Sequence, residues 1–218
     1  MDKRLKVLLI GSSGGLGSQL IPLLREKYEV FSTTSTELNV TNLTQLQQYC
    51  NEVKPGVVIN LSGVNFDSPL HKITSAHEDS IKNIINVNVI GNINLLAACL
   101  NSMRENNFGR VILISSVLST RSVFGTAIYS ATKTFTDSLV RTASVENIAK
   151  GITCNSIQLG YFDGGMCHRL PVVVAEKIKD TIGLKRWGSI HELYNTIDYL
   201  ISTEYITGQN IEISGGLP

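Results

Sequence analysis

Short, unbroken apolar runs alternate along this chain with longer stretches in which apolar residues recur every three or four positions. The runs "LKVLLI" (5–10), "YEVFSTT" (28–34), "PGVVINLSG" (55–63), "RVILISS" (110–116), "GITCNSIQLG" (151–160) and "QNIEIS" (209–214) predict strands. The periodic stretches predict helices over "LGSQLIPLLREK", roughly 41–54, 78–104 and 127–149, and 189–202. In the second of these, Leu43, Leu46 and Tyr49 share a face, and Thr41 or Asn42 serves as the cap. Pro22 fits the first helix only near its opening turn, or at the cost of a kink.

Strands that are apolar throughout, rather than alternating, are buried on both faces. Strand followed by helix, repeated, implies a parallel sheet with right-handed crossovers. The reading is therefore a single α/β domain over residues 1–218, a doubly wound parallel sheet with helices on both faces. A chain of 218 residues suits one domain with a sizeable core. With 43% apolar and 17% charged residues it is globular, and a net charge of +1 gives no reason to expect nucleic acid or an anionic membrane as partner. No apolar run approaches the roughly 18 residues that a membrane span needs. The basic, briefly apolar start "MDKRLKVLLIGSSGG" imitates a signal peptide but leads straight into glycines, so it reads as the first strand. Cys50, Cys99, Cys154 and Cys167 form no CxxC pair; buried free thiols in a reducing cytoplasm are expected, with no metal site.

Candidate chemistry gathers where strands end. The first strand runs into "GSSGGLG", with Gly11, Gly15 and Gly17, and then a helix. Such a junction lets backbone N–H groups approach a pyrophosphate at the positive helix end, although the spacing is GxxxGxG rather than GxGxxG. A tight turn without a ligand is the alternative. "VVINLSG" ends in Asn60, Ser62 and Gly63, small and polar residues at the carboxyl end of a central strand. Ser115 and Ser116 close the next strand, and "YSATK" places Tyr129 and Lys133 on one helix face. A neighbouring ammonium favours phenolate and lowers a tyrosine's pKa toward what an acid/base near neutral pH needs. A serine hydroxyl can hold the substrate oxygen. Hydride would have to come from a cofactor.

Together "GSSGGLG", "NLSG", "ISS" thirteen residues before Tyr129, "YSATK" and "ITGQNIEISGG" resemble the short-chain dehydrogenase/reductase family along essentially the whole chain. The chain is most similar to its single-domain branch, typified by 3-oxoacyl-[acyl-carrier-protein] reductase. The resemblance implies a Rossmann-type fold and an NAD(P)-dependent oxidoreductase acting on CH–OH or C=O groups of a small substrate. It implies Tyr129 as acid/base, Lys133 as the group that lowers its pKa and holds the nicotinamide ribose, and Ser116 as the group that orients the carbonyl. Asn88, in "NVNVIGN", falls at a fourth catalytic position, where a helix distortion holds a water in a proton relay; without the family it would read as a helix-surface residue. Ser115 is expected to pack or bond locally. Cofactor contacts are implied for Gly11, Ser13, Gly15, Leu16, Gly17, Ser35, Asn39, Val40, Asn60, Ser62, Gly63 and Gly160, besides Tyr129 and Lys133.

The chain also departs from that pattern. In "QLGYFDGGMCHRL", Leu159 replaces a proline and Gly164 stands where a threonine would contact the carboxamide of nicotinamide. The region between the second and third strands is compact, and "ELNV" (37–40) reads as the remnant of an edge strand. Cofactor choice is set after the second strand. Hydroxyls at Thr33, Thr34 and Ser35 lean to NADP over NAD, no arginine is at hand to clamp a 2′-phosphate, and Glu37 would reverse the lean if a turn brought it back. The segment from about 161 to 186 is expected to cover the substrate. It contains Met166, His168, Arg169, Leu170 and "VVV" (172–174), with His168 read as a surface residue and Arg169 as solvated or paired with a substrate anion. A homodimer or homotetramer is the family expectation, with Phe135, Leu139 and Ala143 as one contact stripe. A sugar-nucleotide-modifying reductase or epimerase of the extended type, and a non-catalytic dinucleotide sensor or scaffold, are the alternative readings.

Overall fold

A computed structural model of the chain describes residues 4–165 and 171–218. Six parallel strands form one sheet in the order β2-β1-β3-β4-β5-β6. They are β1 (Lys6–Ile10), β2 (Glu29–Thr33), β3 (Val57–Asn60), β4 (Gly109–Ser116), β5 (Ile152–Leu159) and β6 (Asn210–Ile213). The order reverses between β1 and β3, which opens a crevice at the carboxyl ends of those strands. The sheet is the Rossmann-type, doubly wound architecture that the strand pattern predicted.

The unbroken apolar strands are buried on both faces because each face carries its own helical layer. Leu8, Val58, Val111 and Leu113 point to one core with Leu46 of α2 (Leu43–Val53), Leu95 of α4 (Gly91–Glu105) and Val140 of α5 (Ala127–Asn147). Val7, Leu9, Ile59 and Ile112 point to the other, with Leu20 and Leu24 of α1 (Gly15–Lys27) and Leu193, Ile197 and Leu200 of α7 (Ile190–Ser202). Alternation along each strand divides the two sets.

Local signals account for most boundaries. Asn42 caps α2, its side chain accepting from the Gln45 N–H, so of the two candidate caps the asparagine is used. Ser189 and Glu192 form a reciprocal capping box at the start of α7. Pro22 lies inside α1, not in its first turn, so the Ser18 carbonyl receives no N–H from it.

The expected edge strand at "ELNV" does not form. Thr34–Asn39 is turn, and Leu38 and Val40 are buried by dropping into the core beside α2 and α4. The Val40 carbonyl accepts from the Asn94 amide at 3.1 Å, and Gly91 lets α4 come close to the Val40 side chain. Those contacts satisfy the segment without a sheet partner, leaving β2 as the edge.

The long helical pattern at 78–104 is α3 (Glu78–Ile85), a π-helical turn (Asn86–Ile90) and α4. By length and composition the run Ser75–Glu105 would suffice to cross a membrane, but half of its most apolar window is buried inside this domain. α6 (Val172–Thr181) buries none of its residues. The described cysteines, Cys50, Cys99 and Cys154, are free and buried, and burial raises all three thiol pKa values. Cys167 lies outside the described residues.

Candidate active site

β4 and α5 build the centre of the site. β4 ends in Ser115 and Ser116 at the carboxyl edge of the sheet, and α5 returns across that edge, aiming its first two turns at the strand end. Tyr129 is 7% exposed, and its phenol hydrogen-bonds to Ser116. Lys133 is buried one turn further on, and its Nζ donates to the Ile114 carbonyl at 2.9 Å. The same Nζ lies 5.5 Å from the centroid of the Tyr129 ring. Ser115 turns the other way and donates to the Lys133 carbonyl at 3.1 Å, the local role expected of it.

Asn88 reaches the same centre from the opposite wall. It sits in the π-helical turn, which widens the helix and aims the side chain inward. Its amide brackets Val64, accepting from the N–H at 2.9 Å and donating to the carbonyl at 2.9 Å, and it also donates to Thr132 Oγ1. The Asn88 main-chain carbonyl accepts from the Asn92 amide at 2.8 Å, which uses one of its two lone pairs. Gly63 lies between these walls; a Cβ there would stand 3.4 Å from Lys133 Nζ and 3.6 Å from Asn88 Oδ1. The structure thus brings Ser116, Tyr129, Lys133, Asn88 and Gly63 to one place.

Burial dominates the electrostatics. It pushes the Tyr129 phenol up to about 12, against a smaller lowering by the Ser116 hydrogen bond, while Asp67 adds to the rise. Burial pulls the Lys133 ammonium down to about 8, opposed by the negative charge of Asp137. Burial is thus the largest influence on both groups, and at neutral pH the phenol keeps its proton.

The glycine loop shows a cradle. Gly11 has φ +78° and lies so close to the β3 exit that a Cβ would meet Ser62 N at 2.7 Å. Gly17 lets α1 start against the loop, its would-be Cβ 2.3 Å from the Gly11 carbonyl. Ser13 is exposed at the loop's rim, and Leu16 packs partly into the second core. Ser12 ties the loop to the end of β2, its hydroxyl donating to the Thr33 carbonyl at 2.8 Å. Among the described residues the Thr33 hydroxyl is the one buried side-chain polar atom without a hydrogen-bond partner. A glycine cradle, a helix N-terminus and an unpaired hydroxyl between β1 and β2 fit the phosphates and ribose of a dinucleotide, with the Gly164 carbonyl lying against Gly15 of the loop.

Other candidates are held inward. Asn60 donates to Asn92 at 2.7 Å and accepts from Ser62 N and Oγ, so its side chain shapes the loop. Asn39 Oδ1 accepts from Thr41 within its own turn. Gly160 makes room for β6, where a Cβ would meet Ser214 Cα at 2.9 Å. Ser35 is exposed in the turn after β2. That turn brings Glu37 back: its carboxylate accepts from Thr34 N at 2.8 Å and from Thr34 Oγ1 at 2.9 Å, and the first of these bonds is the main reason its pKa is lowered.

Gly164, the replacement for a threonine, has a structural reason. Its φ is +83°, its carbonyl presses on Gly15, and a Cβ would stand 1.8 Å from the Gln19 amide. The segment is anchored by the Phe162–Gly188 bridge and by Tyr161 against Trp187, 5.6 Å between ring centroids. Met166, His168, Arg169 and Leu170 lie outside the described residues.

Several residues of this region were not singled out in the sequence: Asn92, Thr132, Thr136, Asp137 and Gln158. Asn92 donates to Thr136, and Asp137 accepts from Ser156 and Gln158. Asp137 stands four residues after Lys133, the same spacing that flagged Tyr129 and Lys133.

Comparison with known proteins agrees with this geometry. The family described as Enoyl-(Acyl carrier protein) reductase matches residues 17–218. The chain belongs to the short-chain dehydrogenase/reductase family. It is 32% identical to the acetoacetyl-CoA reductase of Allochromatium vinosum over 74% of this chain and 65% of that enzyme. That alignment thus spans about two thirds of the relative. A 3-oxoacyl-[acyl-carrier-protein] reductase (FabG) of Rickettsia felis is 27% identical over 96% of this chain and 95% of its own. A human (3R)-3-hydroxyacyl-CoA dehydrogenase is 29% identical over 94% and 78%. The fold matches the solved structure of ElxO with NADP bound at a TM-score of 0.86, with 21% identity and 98% of each chain covered.

Replacing Gly164 by threonine is expected to cost about 1–3 kcal/mol, from the positive φ and the contact with Gln19. Because Trp187 is the chain's single tryptophan and rests on this segment, its fluorescence should change in the same variant. Unchanged fluorescence and an unchanged unfolding midpoint would show that the segment does not rest on the glycine loop.

Proposed function

We propose that this chain is an NAD(P)H-dependent reductase of the 3-oxo group of an acyl thioester. The observation that carries the reading is the buried Tyr129–Lys133 pair, with Ser116 on the phenol, at the carboxyl edge of the sheet beside a glycine cradle. A bound nicotinamide supplies the hydride. The chain's own residues do the rest. Ser116 and Tyr129 present two hydroxyls to one substrate oxygen, and Tyr129 gives it a proton as negative charge develops there. Lys133 stabilises the tyrosinate left behind, and its two N–H groups that are not on Ile114 remain for the ribose hydroxyls of the dinucleotide. Asn88 holds the wall against Val64, and the π-helical turn in which it sits is where a water on the way to Lys133 would be held.

The substrate class rests on the relatives, whose names specify acetoacetyl, 3-oxoacyl and 3-hydroxyacyl thioesters. Val172 and Val173 on α6 are 78% and 68% exposed and offer apolar surface for an acyl chain and for closure over it. The sites on Gly11, Ser13, Gly15, Leu16 and Gly17 would take the pyrophosphate, with Ser35, Asn39 and Val40 on the adenosine side. NADP is favoured by the ElxO structures, one of which holds NADP and another NADPH. Glu37 limits that preference, because a carboxylate at the end of β2 accepts a ribose hydroxyl and repels a 2′-phosphate. The exposed Ile85, Ile90 and Ile93 are a surface for pairing with a second copy, whereas Ala143 is taken by the chain's own core.

Two variants test the reading. Tyr129→Phe should lower the rate of NADPH oxidation with a 3-oxoacyl thioester by about 10²–10⁴-fold while nucleotide binding persists; full turnover in that variant would overturn the assignment. Glu37→Gln should raise the preference for NADPH over NADH by about tenfold in kcat/KM. An unchanged ratio would remove Glu37 from cofactor selection.

A further inference from the structure

We propose that Asp137 is a positioning residue for the reaction: its buried carboxylate, held by Ser156 and Gln158 one helical turn from Lys133, is the counter-charge of the Lys133 ammonium. This deepens the reading above and rests on it for its catalytic consequence.

The geometry comes first. Tyr129, Lys133 and Asp137 fall at successive four-residue steps on the sheet-facing side of α5, and they are 7%, 5% and 3% exposed. Asp137 Oδ1 accepts from Ser156 Oγ at 2.7 Å, and Oδ2 accepts from Gln158 Nε2 at 2.6 Å. Both partners are donors, one to each oxygen, which is the demand of an acceptor-only carboxylate. The partners are themselves fixed: Ser156 accepts from Asn210 Nδ2 at 3.1 Å, and Gln158 also donates to Ser119 Oγ at 2.8 Å. A carboxylate is expensive to bury. Two residues of strand β5, themselves braced by Ser119 and Asn210, hold this one in place.

What it acts on is one turn away. Among the described residues Lys133 makes no ion pair within 4 Å, and its Nζ turns toward Ile114 and the phenol. Asp137 therefore acts through space, from one helical turn away and with both groups buried. Burial pulls Lys133 down to about 8, and Asp137 is the one charge found to oppose it. The other charged or titratable groups around this face are placed elsewhere. Asp67, after β3, acts on Tyr129. Arg141 is bound to Asn210, Arg121 is paired with Glu212, and Glu78 with Lys82. The Cys154 thiol on β5 has its pKa raised by burial and stays neutral. Without Asp137 the lysine would lose its proton nearer pH 7. The tyrosinate formed in reduction would then have no positive neighbour.

The test is a titration of Lys133, followed by NMR at its labelled Cε and assigned by its absence in Lys133→Met. It compares the natural chain with Asp137→Asn and with the triple variant Asp137→Leu, Ser156→Val, Gln158→Leu. The triple variant removes the charge together with both its donors, so that neither is left without its acceptor if the asparagine variant fails to fold. The proposal expects the lysine midpoint to fall by about one pH unit in each folded variant. The alkaline limb of the reductase pH profile should move down by the same amount, with kcat lost above that limb and recovered below it. A Lys133 midpoint that does not move in either variant overturns the proposal, even if activity falls. Absence of turnover in the natural chain, with the midpoint shift intact, would instead fault the reductase reading and leave the electrostatic link standing.

Discussion

The site depends on a lysine ammonium that has almost no access to water. Lys133 is 5% exposed, and its Nζ donates to the Ile114 carbonyl. Moving a charge to such a place costs several kcal/mol unless partners compensate. The structure answers with a strand end, a π-helical turn and a buried carboxylate arranged around one amine. β4 provides the carbonyl, Asn88 and Gly63 form the wall, and Asp137 supplies the opposite charge. The sheet-facing side of α5 is correspondingly polar, with Thr132, Thr136, Asp137, Ser144 and Asn147 all buried. Helix packing is weaker there than an apolar stripe would make it, and the hydrogen bonds of that layer fix where the helix sits.

The same constraint ties the two halves of the crevice together. Asn92 joins Asn60 at the end of β3 to Thr136 on α5, and Asn88 joins Val64 to Thr132. A substrate oxygen at Ser116 and Tyr129 and a dinucleotide at the glycine cradle would thus be referred to one rigid frame rather than to mobile loops. The surface helix α6, which buries none of its residues, stands outside this frame.

Much of this was legible in the sequence, for physical reasons that can be named. Strands such as "RVILIS" are apolar throughout because both faces of the sheet are covered, so their existence was plain. Tyr129, Lys133 and Ser116 could be placed because a strand end and a four-residue helical step are local features. "ELNV" misled because Leu38 and Val40 alternate as a strand would, yet they are buried by helices packed over a turn. The fate of Glu37 turned on a local bend that composition does not encode. The reason for Gly164 lies in a contact with Gly15 and Gln19, distant in sequence and invisible before folding. Asp137 carried a readable signal, its step from Lys133, but its meaning required Ser156 and Gln158 on another element.

The most direct test of the account is a crystal structure of the chain with NADP and a 3-hydroxyacyl thioester. The account predicts the hydroxyls of Tyr129 and Ser116 both within hydrogen-bond distance of the C3 oxygen, with Lys133 Nζ on the ribose of the nicotinamide half. A structure in which the phenol stays bonded to Ser116 alone, and the nucleotide or the thioester lies away from this edge of the sheet, would contradict it.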